Sequence, residues 1–141
     1  LANWNVQCIA SDISEKVLEH ARQGRYRQME ESRGLPEPLL AKNFSQHGIH
    51  WQIAEQSRRR VDFRSINLVL AWPNLPMMDV VLMRNVLIDL DVETKKAILA
   101  KVRQLLKPEG YLFLGSTETT VNLDDAFQQV PVDGTMCYQL R

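Results

Sequence analysis

Apolar residues follow two kinds of pattern along the chain. Residues 6–10, 80–83 and 111–114 are almost continuously apolar, and short runs of this kind suit strands that are covered on both faces. Other stretches repeat their apolar residues at helical spacing. Because the predicted strands and helices alternate along the sequence, the pattern predicts an α/β fold with a mainly parallel sheet.

Two stretches have the spacing of amphipathic helices. The first follows Asp12 and Ser14, either of which can cap its first turn, and it ends at Gly24, because glycine tolerates the left-handed conformation. The second begins at Asp91 and ends before Pro108. Their apolar stripes consist of Val17, Leu18 and Ala21 in the first helix and Ile98, Val102, Leu105 and Leu106 in the second.

The segment between the two helices is longer than a plain crossover requires, and residues 27–60 are predicted to be an insertion on the main sheet. It is expected to contain a turn at residues 33–36 and a short helix near residues 37–42. Residues 43–46 and 50–53 are predicted to form a small hairpin.

Three further elements complete the prediction. Residues 61–66 and 136–140 have the character of strands, and residues 124–129 are predicted to form a short helix.

Composition and charge narrow the possible functions. The chain has 141 residues, enough for one domain, and 17 basic residues balance 17 acidic ones. No overall field would therefore draw it to nucleic acid or to an anionic membrane. The dense basic run at residues 58–60 is more typical of a solvated turn than of a binding patch.

The chemistry-bearing residues exclude several other kinds of site. Cys8 and Cys137 are far apart in apolar surroundings, which argues against a disulfide framework or a metal site and favours the reducing cytoplasm. The three histidines lack metal-ligand partners, and no Ser-His-Asp arrangement is evident. No run approaches the roughly 20 apolar residues that a membrane span needs.

Polar residues directly after the predicted strands are the candidates for a binding site, because ligands of α/β folds bind outside the carboxyl ends of the strands. Asp12 can accept hydrogen bonds from both hydroxyls of a ribose, or it can simply cap the following helix. Asn67 can read an adenine edge while Leu68 packs on its face, although the same pair also suits an ordinary turn.

A second set of strand-end residues carries charge. Arg84 and Asn85 follow a buried strand, and because a buried Arg needs an acidic partner, either the carboxylate of a cofactor or an internal acid is expected beside Arg84. Glu118 follows the strand at residues 111–114 and is expected to be a solvent-exposed loop acid.

Taken together, these segments resemble the catalytic domain of the chemotaxis-receptor glutamate methyltransferases, the CheR family. The order and spacing of the matching pieces agree over nearly the whole chain. The pieces are SDISEKVLEHARQGRY at 11–26, RGLP at 33–36, NF at 43–44, WQI at 51–53, VDFRSINL at 61–68, DVVLMRNVLIDLD at 79–91 and LKPEGYLFLGSTE at 106–118.

The resemblance implies a class I S-adenosylmethionine-dependent methyltransferase with a Rossmann-like sheet, in which all strands but one are parallel. Residues 1–141 are expected to be a partial methyltransferase domain, with a small β-subdomain as the insertion at about 27–60. The family's first strand and glycine-rich loop, and its small N-terminal helical domain, are expected to be missing. The sheet is therefore expected to be incomplete.

The resemblance also implies roles for the strand-end residues. The cofactor would be S-adenosylmethionine, with S-adenosylhomocysteine as the product. Asp12 would hold the ribose hydroxyls, Asn67 and Leu68 would line the adenine, and Arg84 and Asn85 would flank the middle of the cofactor.

Two residues depart from the family pattern near the expected site of methyl transfer, which Arg84 also adjoins. Asp89 stands where the family usually has an aromatic residue beside the transferred methyl, and Leu90 replaces a common Phe. An aspartate near a sulfonium can bind its charge, but it would repel a glutamate substrate.

The resemblance implies methylation of glutamate side chains on the cytoplasmic helices of chemotaxis receptors. Glutamate is already ionised at neutral pH, so no general base is required. Two alternatives stay open, namely a catalytically inactive module that binds cofactor or receptor, and a methyltransferase that acts on a small molecule. Without the central first strand the sheet would expose two apolar edges, and self-association through these edges is expected.

Overall fold

The computed structural model describes residues 4–27 and 35–141. The chain divides into two compact units, the first ending at Asn67 and the second beginning at Leu68, and each is described by itself. Part of the predicted turn at residues 33–36, Arg33 and Gly34, lies outside the described residues, as does the early part of the predicted insertion.

The first unit contains short elements. Its strands are β1 (Cys8–Asp12), β2 (Arg25–Arg27), β3 (Phe44–His47), β4 (His50–Ile53) and β5 (Val61–Ser65). Its helices are α1 (Glu15–Gln23), α2 (Glu37–Asn43) and α3 (Glu55–Arg58). Strands β1 and β5 pair in parallel, and β2, β4 and β3 form a separate antiparallel sheet in that order.

Helix α1 begins and ends as its sequence predicts. Of the two candidate caps, Ser14 is the N-cap, and its hydroxyl accepts from the N–H of Val17. Gly24 follows the helix with φ 62°, and a Cβ there would lie 2.5 Å from a methyl group of Ile53. Strand β1 ends at Asp12, two residues later than predicted, so that Asp12 is the last residue of the strand.

Arg58 corrects the expectation that the basic run only decorates a solvated turn. Its guanidinium donates to the carbonyl oxygens of Arg22 at 2.9 Å and Gln23 at 3.1 Å. These carbonyls lie at the C-terminal end of α1, where the last peptide groups lack helical partners and favour a cation. Arg58 therefore helps to end α1, while Arg59 pairs on the surface with Glu55.

The second unit is built around one longer helix and a sheet. Its elements are β6 (Met78–Met83), α4 (Val92–Leu105), β7 (Leu106–Leu114), β8 (Phe127–Val132) and β9 (Thr135–Leu140). The sheet order is β6-β7-β9-β8, with β6 parallel to β7 and β9 antiparallel to both of its neighbours. Among the described strands, β9 is thus the one that runs against the rest of its sheet, as the resemblance implied.

The core of the second unit lies between α4 and this sheet. Ile98, Leu99 and Val102 of α4 are fully buried, and burying each such side chain contributes about 1.5–3 kcal/mol. Sheet and loop residues complete the same cluster, including Met83, Leu87, Leu106, Leu112, Leu114, Phe127 and Tyr138. No helix in the described part of the chain is long and apolar enough to cross a membrane.

The end of α4 differs from the prediction in one respect. The helix ends at Leu105, and the backbone turns at once into β7, which includes Pro108 and Gly110. Leu106, the first residue of β7, is 1% exposed, and the burial of its side chain favours the change from helix to strand at this residue. Lys107 pairs with Asp79 across the sheet at 2.7 Å.

The predicted helix at residues 124–129 is wrong. Residues 124–126 form a turn, and Phe127 begins strand β8, which pairs with β9 as a hairpin. Asp133 and Gly134 connect the two strands with φ values of 45° and 77°. An Asp-Gly pair with both residues at positive φ is the turn that matches the twist of a hairpin, and this local signal outweighs the weak helical pattern before it.

Candidate functional site

The strand-end residues identified from the sequence are distributed over the two units. Asp12 and Asn67 lie in the first unit, and Leu68, Arg84, Asn85 and Asp89 lie in the second. In the first unit, the N–H of Ile66 donates to the carbonyl of Asp12 at 3.1 Å. The carboxyl ends of β1 and β5 are therefore adjacent, and Asn67 follows directly after them.

Asp12 uses one of its carboxylate oxygens to shape the start of α1. Oδ1 accepts from the N–H of Ser14 at 2.8 Å. Within the described chain, no donor is found for Oδ2, and the residue is only half-buried. Oδ1 of Asp12 thus has a contact of the kind expected near the start of a helix. Oδ2 remains accessible, and its negative charge makes it a strong acceptor for hydroxyl donors.

The loop that begins at Leu68 is held by two side chains. Nε1 of Trp72 donates to the carbonyl of Leu68 at 3.0 Å, and Nζ of Lys101 donates to the carbonyls of Leu68, Val69 and Leu70 at 2.7–3.2 Å. The Lys101 ammonium also lies 5.4 Å from the Trp72 ring centroid. The half-buried side chain of Leu68 packs against the core of the second unit, so the position of this predicted adenine contact is fixed.

Residues 84–91 connect β6 to α4 and carry the remaining candidates. Arg84 is exposed, so the expected burial, which would have required either a cofactor carboxylate or an internal acid beside it, is wrong. Asp89 is also exposed, on a turn closed by the N–H of Leu90 donating to the carbonyl of Leu87 at 3.1 Å. Asp91 ends the loop as the N-cap of α4 and accepts from the N–H of Thr94 at 2.9 Å.

Glu118 was expected to be a solvent-exposed loop acid, but it is half-buried. Within the described chain, its carboxylate accepts from four backbone N–H groups. Oε2 accepts from Gly115 and Asn85, both at 2.7 Å. Oε1 accepts from Val86 at 2.9 Å and Leu87 at 2.7 Å. The loop after β7 is thereby tied to the loop after β6.

Gly115 allows this close approach. A Cβ at position 115 would lie 2.6 Å from Oε2 of Glu118 and 3.0 Å from the backbone nitrogen of Asn85. Real Cβ atoms do not approach other atoms so closely, so a larger residue would displace the carboxylate or the loop. A glycine three residues before an acid at a strand end was the available sequence signal, but it does not identify the partner loop.

The hydrogen bonds to Glu118 set its protonation. Partial burial is the largest single influence and acts to raise the pKa of Glu118. The N–H groups of Gly115, Leu87, Asn85 and Val86 together outweigh it, so the pKa lies below the usual value. At neutral pH the side chain is therefore a carboxylate that can accept all four bonds.

The chain matches a known protein family along most of its length. The family described as "CheR methyltransferase, SAM binding domain" matches residues 1–136. The resemblance predicted from the sequence is confirmed by this match. The predicted class I methyltransferase fold is confirmed as well.

Three curated relatives show the extent of the similarity. The chain is 37% identical over 136 residues to "Chemotaxis protein methyltransferase Cher2" of Pseudomonas putida, which covers 96% of this chain and 50% of the relative. It is 37% identical over 137 residues to "Chemotaxis protein methyltransferase 1" of Pseudomonas aeruginosa, with the same coverage. It is 35% identical to "Chemotaxis protein methyltransferase" of Escherichia coli, and this match covers 88% of this chain and 44% of the relative. The chain thus spans about half the length of the curated relatives it matches.

The lowered pKa of Glu118 predicts how stability depends on pH. A carboxylate whose pKa is lower in the folded state stabilises the fold at neutral pH, and this contribution is lost as the pH falls through the folded pKa. The difference in free energy of unfolding between wild type and Glu118→Gln should therefore be largest near neutrality and should shrink as the pH falls below about 5 and through the lowered pKa of the folded state. Urea unfolding across this range measures it.

The control for this comparison is Glu109→Gln, because Glu109 is an exposed acid on β7. This substitution should change the free energy of unfolding by less than about 0.5 kcal/mol at neutral pH. A Glu118→Gln difference that stays constant or grows as the pH falls would show that the carboxylate is not stabilised by the N–H groups.

Proposed function

The chain belongs to the CheR methyltransferase family, and from that premise we propose that it is part of an enzyme that methylates glutamate side chains of chemotaxis receptors. The cofactor is S-adenosylmethionine, because the matched domain is the family's SAM-binding domain. The observation that carries the proposal is the match to this domain over residues 1–136. The substrate is proposed from the relatives, which are named as chemotaxis protein methyltransferases.

The proposed partners are the cytoplasmic helices of the receptors. A receptor-modifying enzyme of this kind works in the cytoplasm, where thiols stay reduced, and Cys8 and Cys137 are both free. The balanced charge of the chain supports a protein partner rather than nucleic acid.

We assign the cofactor contacts to the strand-end residues. Asp12 suits the ribose hydroxyls, because its Oδ2 is accessible while Oδ1 stays engaged with Ser14. Asn67, at the end of β5, and Leu68, fixed by Trp72 and Lys101, suit the adenine.

The loop after β6 suits the middle of the cofactor and the place of methyl transfer. Arg84 and Asn85 are exposed at a carboxyl strand end, where ligands of α/β folds bind. Among the described residues Arg84 forms no ion pair, so its exposed guanidinium can bind a carboxylate directly. Asp89 lies in the same loop and is exposed. Its carboxylate can attract a sulfonium, although it would repel an approaching glutamate.

The chemistry requires positioning more than acid–base catalysis. When bound, S-adenosylmethionine supplies an activated methyl group on a sulfonium. The receiving glutamate is ionised at neutral pH and needs no base to become a nucleophile. The work left to the residues of this chain is to orient the two partners and to exclude water from them.

The exposed edge of the second sheet supports a further proposal, that the chain self-associates through strand pairing. Among the described strands, β6 pairs with β7 alone, and its Val80 and Leu82 side chains are 50% and 74% exposed. An apolar strand with an unpaired edge is a template for another strand.

Sedimentation of wild type and Leu82→Lys tests this proposal. Wild type should form dimers, and Leu82→Lys should be monomeric because a charge on an edge strand discourages pairing. Val121→Lys is the control, because Val121 is a 56% exposed residue outside the sheet. A wild-type monomer at all concentrations would rule out association through this edge.

Binding of S-adenosylhomocysteine tests the assignment of Asp12. Asp12→Asn retains an oxygen that can accept from Ser14, so α1 should keep its start, but it loses the charge proposed to hold the ribose. Because a hydrogen bond to a charged group is worth about 1.5–3 kcal/mol, calorimetry should show binding weakened about tenfold or more.

The matched control is Asp62→Asn, because Asp62 is exposed and pairs only with Arg64 among the described residues. It should bind like the wild type. Equal binding by Asp12→Asn and wild type would remove Asp12 from the site. For methyl transfer, the enzyme of which this chain is part is measured: tight binding of S-adenosylhomocysteine by that enzyme without transfer of a methyl group to receptor glutamates would contradict the proposed activity.

A further inference from the structure

Backbone N–H groups just beyond strand β6 need an acceptor. Strand β6 ends at Met83, and the N–H groups of Asn85, Val86 and Leu87 have no sheet partner there. The side chain of Leu87 is only 2% exposed, so its packing draws this backbone toward the core. The N–H of Leu87 is part-buried, and because a buried N–H without an acceptor is destabilising, the carboxylate of Glu118 stabilises this backbone.

We propose that Glu118 is a positioning residue for the cofactor, because its carboxylate holds residues 84–87, the strand-end segment, in the shape that presents Arg84 and Asn85. This inference rests on the proposed function of the loop after β6. Glu118 itself has its oxygens occupied by backbone N–H groups, so it acts through the segment that it holds and not through direct contact with the cofactor.

The backbone of Asn85 shows why such an acceptor is needed. Asn85 has φ 59°, in the left-handed region, which is unfavourable for a residue with a side chain even though Asn is better tolerated there than most. This conformation reverses the chain and directs the N–H groups of Asn85, Val86 and Leu87 toward one point. The carboxylate lies at that point and stabilises the conformation.

The arrangement favours a role in binding over a role in packing alone. Of the residues in the strand-end segment, Leu87 is buried, whereas Arg84, Asn85 and Val86 are exposed. The buried side chain of Leu87 anchors the loop to the core, but it does not fix the three residues before it. Glu118 fixes the part of the segment that solvent or a ligand can reach, at a strand end where ligands bind.

Comparing the binding of two ligands distinguishes a local effect on residues 84–87 from a general loss of structure. S-adenosylhomocysteine includes the amino-acid portion proposed to lie near Arg84 and Asn85, whereas adenosine lacks it. Glu118→Gln keeps the length of the side chain but loses its charge and one acceptor oxygen. We expect calorimetry to show S-adenosylhomocysteine binding weakened about tenfold, with adenosine binding changed less than about twofold.

Gly115→Ala provides a second variant that leaves the carboxylate in the protein. Its added methyl group would meet Oε2 of Glu118 at 2.6 Å and the backbone nitrogen of Asn85 at 3.0 Å, so the contact between the carboxylate and the loop at Asn85 should be disturbed and the same selective loss should follow. Glu109→Gln is the control, because Glu109 is an exposed acid on strand β7. This variant should bind both ligands like wild type.

The outcomes distinguish this inference from the function on which it rests. A wild type that binds neither ligand contradicts the proposed function itself. A wild type that binds both, with Glu118→Gln or a folded Gly115→Ala variant equal to it for S-adenosylhomocysteine, overturns the positioning role. An equal loss for both ligands in these variants also overturns it, because it indicates a general structural effect.

Discussion

The carboxylate of Glu118 is the interaction on which the candidate site of the second unit depends. Backbone N–H groups of the loops after β6 and β7 share this one acceptor. Four backbone N–H groups of the described chain lie 2.7–2.9 Å from its two oxygens. Because each bond involves a charged acceptor, the set is stronger than ordinary loop hydrogen bonds, and the absence of a side chain at Gly115 makes room for it.

In the other strand-end loops, too, a charged side chain satisfies backbone hydrogen-bonding groups. Lys101 supplies an ammonium to the carbonyls of the loop that begins at Leu68, and Asp12 supplies one oxygen to the N–H of Ser14. In each case a charged side chain orders the backbone near a residue proposed to contact the cofactor. Such order reduces the conformational entropy that binding would otherwise have to remove.

Local patterns predicted much of the fold. The stripe on α4, the glycine after α1 and the hairpin of β3 and β4 each depend on residues close together in sequence, so they are visible without a structure. The prediction of a helix at residues 124–129 was wrong, because the Asp133-Gly134 turn pairs β8 with β9 and Phe127 already lies in the strand. Strand-end positions were also predictable, since an α/β pattern indicates where ligands bind.

The contacts that hold the site could not be predicted in this way. Glu118 and Asn85 are 33 residues apart, as are Lys101 and Leu68, and no local pattern indicates which backbone groups each charge will meet. Arg84 shows the converse error, because a charge after an apolar strand suggested burial, whereas the loop carries it into solvent. Tertiary structure decides both, since burial depends on neighbours that are distant in sequence.

A pH titration of the backbone amides followed by NMR tests the central claim most directly. If one carboxylate holds the N–H groups of Gly115, Asn85, Val86 and Leu87, all four resonances should shift together. Their common midpoint should lie below the usual glutamate value of about 4.3, and the transition should vanish in Glu118→Gln. Four unrelated midpoints, or a shared transition that persists in Glu118→Gln, would contradict the claim.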